Sequence, residues 1–365
     1  MTDIKKYMDV VRDVRFREVV NTRLKQYSNS ETYSISGPIP RLYRYRSFNK
    51  YSVEDIVNKD ITLTSIDKFN DAMEGNIASY KSEKEIENIV ENAWREHQKI
   101  VGFGCPIRYT RDMIEKQIKH LIVRDLYNAS TLMQNVGTYI GCFSEDPDIA
   151  LMWAHYADSH RGICIGYSAE LFKNCSFLQD TTFPICYSLR PVYVGDLMED
   201  KGDRKLCEYP IDAATLCSVV NKHYAWSYEK EWRIVYIMDI FGIADQVERI
   251  QIKDALPDSD LMPCSISFGY HFFQNFFYYR EEKESYVRAK DMLVDCVRLL
   301  DFIFSHSIKC YYLRPKFCSF EFERVVINIV ELRKFIKREF FNSEPKNIKF
   351  YNSCLFDWLE RISNV

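Results

Sequence analysis

Hydrophobic positions along the chain change period several times, and each change predicts an element. Residues 3–25 carry apolar side chains at helical spacing ("VVRDVRFREVV"), which predicts a leading helix closed by a Ser/Asn stretch and "SGPIPR". "RLYRYRS" alternates as a strand does. "SVEDIVN" has a serine cap and acids in the first turn of a short helix, and "DITLTS" alternates again. "FNDAMEG" reads as a turn. From Glu83 to His97 and from Arg111 to Met133, apolar residues return at helical spacing among many charges, predicting a helical insertion over about 80–135. "GTYIGCFS" and "RGICIGYS" predict buried strands on either side of a helix entered at Asp146-Pro147. "FPICYS" and "RPVYVGD" read as a strand pair and "IDAATLCSVVNKHYAW" as a helix. "EWRIVYIMD" reads as a strand whose alternation passes into an apolar run, with "ERIQIKD" beside it. Beyond Phe268 the pattern is aromatic and helical ("HFFQNFFYY", "VRAKDMLVDCVRLLDFIF", "FERVVINIVELRKFIKREFF", "LFDWLERI").

These elements predict an α+β protein. Residues 1–38 form an N-terminal helix and linker, 39–264 an α+β core, and 265–365 a C-terminal helical elaboration. The run "HFFQNFFYY" predicts a buried or partner-covered helix, so the C-terminal helices are a candidate surface for a partner or for self-association.

Composition narrows the class. The 365 residues are 47% apolar and 28% charged, as in a folded soluble protein with room for a substantial core. The N-terminus lacks an apolar signal core and no stretch of about 18 uncharged apolar residues occurs, so a cytoplasmic protein that does not span a membrane is expected. The cysteines lie among apolar neighbours without a CxxC pair and read as buried thiols. A net charge of -3 gives no global attraction for nucleic acid. The basic excess between His306 and Lys349 reads either as a solvated helix face or as a phosphate-binding surface.

Among the chemistry-bearing residues, His155, His160 and Asp158 lack the spacing of a helical zinc pair, and no metal is expected. Cys142 and Cys164 lie inside apparent strands, where a thiol is ordinarily buried and inert. No phosphate-cradling glycine loop is present. Three segments remain. The first strand places Arg44 and Arg46 on one side and Tyr43 and Tyr45 on the other, as a clamp for a diphosphate or as an edge strand with solvated arginines. "CFSEDPDIALMWAHY" puts Phe143 and Ser144 at a strand exit and Trp153 and Tyr156 on a helix, for a ligand or for the core. In "WSYEKEWRIVY", Glu229 and Glu231 sit two apart. One carboxylate of such a pair can stabilise an oxocarbenium ion while the other handles the nucleophile, or both can pair with Lys222, Lys230 or Arg233.

Read together, "LYRYRS", "FNDAMEG", "CFSEDPDIALMWAHYADSHRGICIGY" and "KHYAWSYEKEWRIV" resemble the bacterial family catalogued as domain of unknown function 2971 over roughly residues 40–240, with Asn70, Asp71 and Glu74 also matching. The order of elements is in addition similar to the ADP-ribosyltransferase fold of the arginine type, which carries a Glu-x-Glu motif. That second resemblance implies a split mixed β-sheet core and NAD as substrate. It implies that Arg44 holds the NAD phosphates or ribose, that Ser144 lies near the nicotinamide riboside, that Glu231 binds the ribose 2′-hydroxyl, and that Glu229 orients or deprotonates an acceptor. Tyr43, Tyr45, Arg46, Trp153 and Ser65 would complete the NAD site, with nicotinamide against Phe143 or Tyr156. The middle motif reads Cys-Phe-Ser-Glu where the transferases have Ser-Thr-Ser, so Thr64 and Ser65 compete with Ser144, while Lys222, Trp226 and Arg233 have no counterpart. The resemblance implies a protein, nucleic-acid or water acceptor and suits a toxin or phage-defence effector. The alternative is a non-catalytic module of the same fold that binds a nucleotide or nucleic acid.

Overall fold

The computed structural model describes residues 2–69, 71, 75, 77–78, 83–102, 109–120, 137–193, 210–237, 248–273, 277–280, 285–288, 290–319 and 321–338. Its strands are β1 (Leu42–Arg46), β2 (Thr62–Ser65), β3 (Ile77–Ala78), β4 (Thr138–Ser144), β5 (Ile163–Tyr167), β6 (Thr182–Pro184), β7 (Cys186–Ser188), β8 (Val192–Tyr193), β9 (Asn221–His223), β10 (Glu231–Ile237), β11 (Arg249–Gln251), β12 (Ser265–Phe268), β13 (Phe277–Arg280), β14 (Ser285–Arg288), β15 (Lys309–Pro315) and β16 (Phe322–Val326). Ten of them form one mixed sheet in the order β11-β2-β4-β1-β5-β12-β15-β16, with β10 paired to β4 and β6 to β10. The protein is therefore α+β, with a large mixed sheet and several helices. No helix among the described residues is long and apolar enough to cross a membrane.

The sheet is split at β4. β10 follows the whole of one edge of β4, from Glu231 opposite Ser144 to Ile237 opposite Thr138. The other edge is shared: β1 meets it only at Tyr43–Ser144, and β2 only at Thr64–Ile140 and Ser65–Tyr139. β1 and β2 diverge from this edge, and Arg44 Nη2 reaches across the gap to donate to the Thr62 carbonyl at 2.6 Å.

The turn that sends the chain from β1 to β2 is the helix α3 (Lys50–Val57; the leading helices are α1, Thr2–Arg12, and α2, Val14–Lys25). Asn49 starts α3 with a reciprocal capping box: its side chain accepts from Ser52 N at 3.0 Å, and Ser52 Oγ accepts from Asn49 N at 3.1 Å. Asn49→Ala removes that acceptor from a cap lying within the β1–β2 connection. It is expected to lower stability by about 1 kcal/mol, read as a shift of the urea midpoint with unchanged slope.

Several expectations are corrected. The leading helix is two helices, broken where the Asp13 carboxylate accepts from Arg15 N and Phe16 N and starts α2. They pack on the core, where Tyr7 Oη donates to the Val235 carbonyl of β10 at 2.7 Å. "FPICYS" and "RPVYVGD" do not pair with each other. β7 runs parallel to β9, and β8 parallel to β3. "ERIQIKD" does not lie beside β10; β11 pairs with β2 at the far end of the sheet.

The C-terminal region is not simply helical either. β12, β15 and β16 extend the main sheet, and Tyr278 and Tyr279 of the aromatic run lie in the β13–β14 ribbon. Aromatic and β-branched side chains suit a half-buried pleated surface, which outweighs the helical spacing read there. The helix predicted in "VRAKDMLVDCVRLLDFIF" is present over Lys290–Ser305, after Val287 and Arg288 end the β13–β14 ribbon, and serves as the crossover between parallel β12 and β15. Of the predicted insertion, Glu83–Gly102 and residues 111–120 are helical and residues 121–135 lie outside the described residues, as does the C-terminal "LFDWLERI".

Candidate functional site

The split opens a cavity of about 300 Å³. Tyr43, Arg44, Tyr45 and Arg46 of β1 line one side, and Ile140, Cys142 and Phe143 of β4 form its floor. Tyr156, Lys222, Glu229, Glu231 and Arg233 line the other side.

Local backbone rules set the two carboxylates. β10 is buried along its whole length, so Glu231 and Arg233, two residues apart on one strand, project to the same face. Arg233 grips Glu231 with Nε to Oε1 at 2.8 Å and Nη2 to Oε2 at 3.1 Å, and donates from Nη1 to the Val219 carbonyl at 2.5 Å. Glu229 is not on that strand. It ends a 3₁₀ turn over 224–229, and Lys230, at φ 46 and ψ 50, reverses the chain into β10 in the left-handed region that a non-glycine residue seldom occupies. Ser144 Oγ ties the turn down by donating to the Glu229 carbonyl at 2.7 Å.

Lys222, on β9, joins the pair. Its ammonium donates to Glu229 Oε2 at 2.6 Å and to Glu231 Oε2 at 2.8 Å, and lies 5.0 Å from the centre of the Trp226 ring. Tyr156 Oη donates to Glu229 Oε1 at 2.8 Å. All four charged groups are buried, with Arg233 at 0% and Glu229 at 1% exposure. Burial opposes ionisation of Glu231, but Arg233 and Lys222 outweigh it and hold the carboxyl down at about 2. For Glu229, burial and then the charge of Glu231 win over Lys222 and push its carboxyl up.

The opposite wall is cationic. Arg44 is 6% exposed, lies 5.6 Å from the Phe143 ring centre, and has no described carboxylate within ion-pair distance. Arg46 reaches Asp55 only at 4.0 Å, and first the charge of Arg44 and then burial bring it down to about 10. A desolvated cation without a paired anion is costly, and within the fold Arg44 is offset by the Thr62 carbonyl and the Phe143 ring.

The predicted residues divide into two groups. Tyr43, Arg44, Tyr45, Arg46, Phe143, Tyr156, Lys222, Glu229, Glu231 and Arg233 all reach the cavity. Ser144 does not: its hydroxyl is spent on the Glu229 and Asp146 carbonyls. Trp153 is fully buried, donates to the Pro147 carbonyl and packs edge-on against Tyr45, so it supports the wall from behind. Ser65 is buried off the cavity while Thr64 lines it, and Trp226 acts beneath Lys222. Asp71 is half-buried and is not among the lining residues, and Asn70 and Glu74 lie outside the described residues. Sequence reading missed Tyr187, whose hydroxyl accepts the Glu231 N–H at 2.8 Å, and Lys68, Phe69 and Met152 on the lining. Only the parallel β7–β9 pairing, which sets Tyr187 opposite Lys222, could have revealed the first.

No curated protein and no solved structure matches the chain. Residues 152–234, the span that holds Tyr156, Lys222, Glu229, Glu231 and Arg233, match the model of the family described as "Protein of unknown function (DUF2971)".

Proposed function

We propose that the cavity binds NAD and that the protein transfers ADP-ribose from it to an acceptor or to water. The observation that carries this reading is the pairing of two walls: a buried Arg44 lacking a carboxylate partner faces a buried carboxylate pair across a cavity in a split sheet. Guanidinium groups match a diphosphate with paired donors, and carboxylates stabilise the positive charge that develops on a ribose ring. In the step proposed, the bond from ribose C1′ to the nicotinamide nitrogen breaks and its electron pair returns to the pyridine ring. The ring thereby loses its positive charge. An acceptor lone pair closes on C1′, and the acceptor's proton passes to a carboxylate of the pair.

One observation favours a second reading, a binding module without turnover. Glu229 and Glu231 are already compensated by Lys222 and Arg233, as in a structural ion-pair cluster. The two readings separate when the purified protein is incubated with labelled NAD, with and without cell lysate, and free nicotinamide and macromolecule-bound label are followed. Release of nicotinamide supports the transferase, and the labelled fraction identifies the acceptor class. Tight NAD binding without release supports the module. In either case Arg44→Gln is expected to weaken NAD binding about tenfold to a hundredfold by calorimetry, with the melting temperature as a control for folding. Unchanged affinity would remove the diphosphate from this wall.

A further inference from the structure

The loop over 145–148 joins β4 to the helix that carries Tyr156, and cations from two distant segments hold it. On one side Lys230 Nζ reaches Asp146 Oδ2 at 2.9 Å, the Glu145 N–H donates to the Lys230 carbonyl, and Trp232 Nε1 donates to Glu145 Oε1 at 2.6 Å. Lys230 is the left-handed residue between Glu229 and Glu231, so the loop grips the turn that sets both carboxylates. On the other side stands Arg324 of β16, the last strand of the main sheet. Its Nε lies 2.8 Å from Asp148 Oδ1, close enough for an ion pair though not aligned as a hydrogen bond. Its guanidinium lies 5.6 Å from the Tyr43 ring centre and 5.1 Å from that of Tyr311. Against burial, the Asp148 N–H, Lys230 and Arg324 hold the Asp146 carboxyl below the ordinary carboxylate range. β5, β12 and β15 separate β1 from β16, and small side chains allow that distance to be crossed. Gly166 of β5 stands opposite Tyr43, where a Cβ would come 3.1 Å from the Tyr43 ring and overlap Ser265 Oγ of β12. Tyr43 therefore leans over β5, and Arg324 meets it there.

We propose that Arg324 is a positioning residue for the cavity. By stacking on Tyr43, which lines the cavity, and by pairing with Asp148, it fixes the 145–148 loop and through that loop the Lys230 turn that presents Glu229. The C-terminal strands are then a working part of the site, although Arg324 lies beyond the span matched by the family model, which ends at residue 234. The loop couples the two ends because its own backbone is tied to the cavity wall: the Asp146 carbonyl accepts from Tyr45 Oη at 2.7 Å, and the Pro147 carbonyl from Trp153 Nε1 at 2.8 Å. Tyr228 of the Glu229 turn and Phe322 of β16 also pack against the small cluster that holds Tyr43, Tyr45 and Trp153. A partly exposed ion pair is weak by itself, so charge and ring stacking act together at Arg324. The effect on NAD rests on reading the cavity as the NAD site, whereas the effect on the loop does not.

The test compares the wild type, Arg324→Met and Asp148→Asn by amide hydrogen exchange without ligand, followed over 145–149 and 224–231, and by calorimetric titration with NAD. The expected result in both variants is exchange about tenfold faster over both segments, unchanged exchange in β12 and the helix over 290–305, and NAD affinity about tenfold lower. A merely structural role for Arg324 would loosen β15 and β16 and leave the 224–231 turn, which leads into β10, as it was. Unchanged exchange in that turn overturns the proposal whatever happens to NAD affinity, and so does exchange that rises equally throughout the molecule. Where Arg324→Met does not fold, Asp148→Asn decides alone, since it only neutralises a partly exposed side chain. Faster exchange in both segments with no NAD bound by any of the three proteins upholds the positioning role and removes the NAD reading. NAD bound equally well by all three while the turn loosens overturns the proposal, because the cavity would then not depend on Arg324.

Discussion

Arg233→Met lowers the free energy of unfolding by about 3–5 kcal/mol, seen as a fall in the urea midpoint at neutral pH with an unchanged slope. Arg233 is 0% exposed and supplies two of the donors to Glu231 together with the bond to the Val219 carbonyl. Methionine fills much of the volume but leaves Glu231 buried with Lys222 as its remaining counter-ion, and Lys222 is already shared with Glu229. The loss therefore comes from an uncompensated charge rather than from a cavity. That distinction is measurable. Adding Glu231→Leu to Arg233→Met removes the stranded carboxylate and is expected to recover most of the loss, because an apolar pair of similar volume substitutes well for a buried ion pair. If the double variant is as unstable as the single one, Arg233 stabilises through the Val219 carbonyl and its packing near Phe69, and Glu231 is not its energetic partner.

The parts of this site legible in the sequence are those set by strand period. "RLYRYRS", "GTYIGCFS" and "EWRIVYIMD" alternate or run apolar in ways only strands use, and they became β1, β4 and β10, three walls of the cavity. Two kinds of information were hidden. One is pairing across long separations: Lys222 reaches the carboxylates because β9 runs parallel to β7, and no local pattern at "NKH" announces that, so the residue at the centre of the network read as the end of a helix. The other is backbone conformation at single residues. The left-handed Lys230 converts an apparent strand repeat into a turn followed by a strand, so Glu229 and Glu231 meet through a shared ammonium rather than by alternation. The C-terminal strands were missed for a related reason. In "FERVVINIVELRKF" apolar residues satisfy both periods, and the boundary is set by Asn328, whose side chain accepts from Val330 N and Glu331 N and starts a helix directly after β16. Ser144 shows that a correct placement can carry the wrong role: it stands beside Glu231 in the ladder, yet its hydroxyl points to the backbone that positions Glu229.

Lys222→Met gives a second large effect, and one with a definite dependence on pH. With the ammonium gone, Glu229 and Glu231 face each other across a buried gap with one cation, Arg233, committed to Glu231. Two like charges in that setting do not both ionise, and the one to take the proton is Glu229, which burial and Glu231 already push up even with Lys222 present. A carboxyl whose value in the fold lies above its unfolded value contributes stability that is fully present below the unfolded value, about 4.3, and is lost as pH rises through the folded one. Close to pH 4 the variant is therefore nearly as stable as the wild type with respect to this pair. As pH rises it loses up to about 1.4 kcal/mol per pH unit, toward about 3–5 kcal/mol on the alkaline side. Urea titrations of both proteins at several pH values measure this directly. The companion variant Lys222→Met with Glu229→Gln replaces the protonating carboxyl with a neutral amide of the same shape, and its difference from the wild type should no longer steepen with pH. A penalty for Lys222→Met that is the same at every pH would mean that Lys222 stabilises by packing on Trp226, 5.0 Å from its ammonium, and not by holding the charge of Glu229.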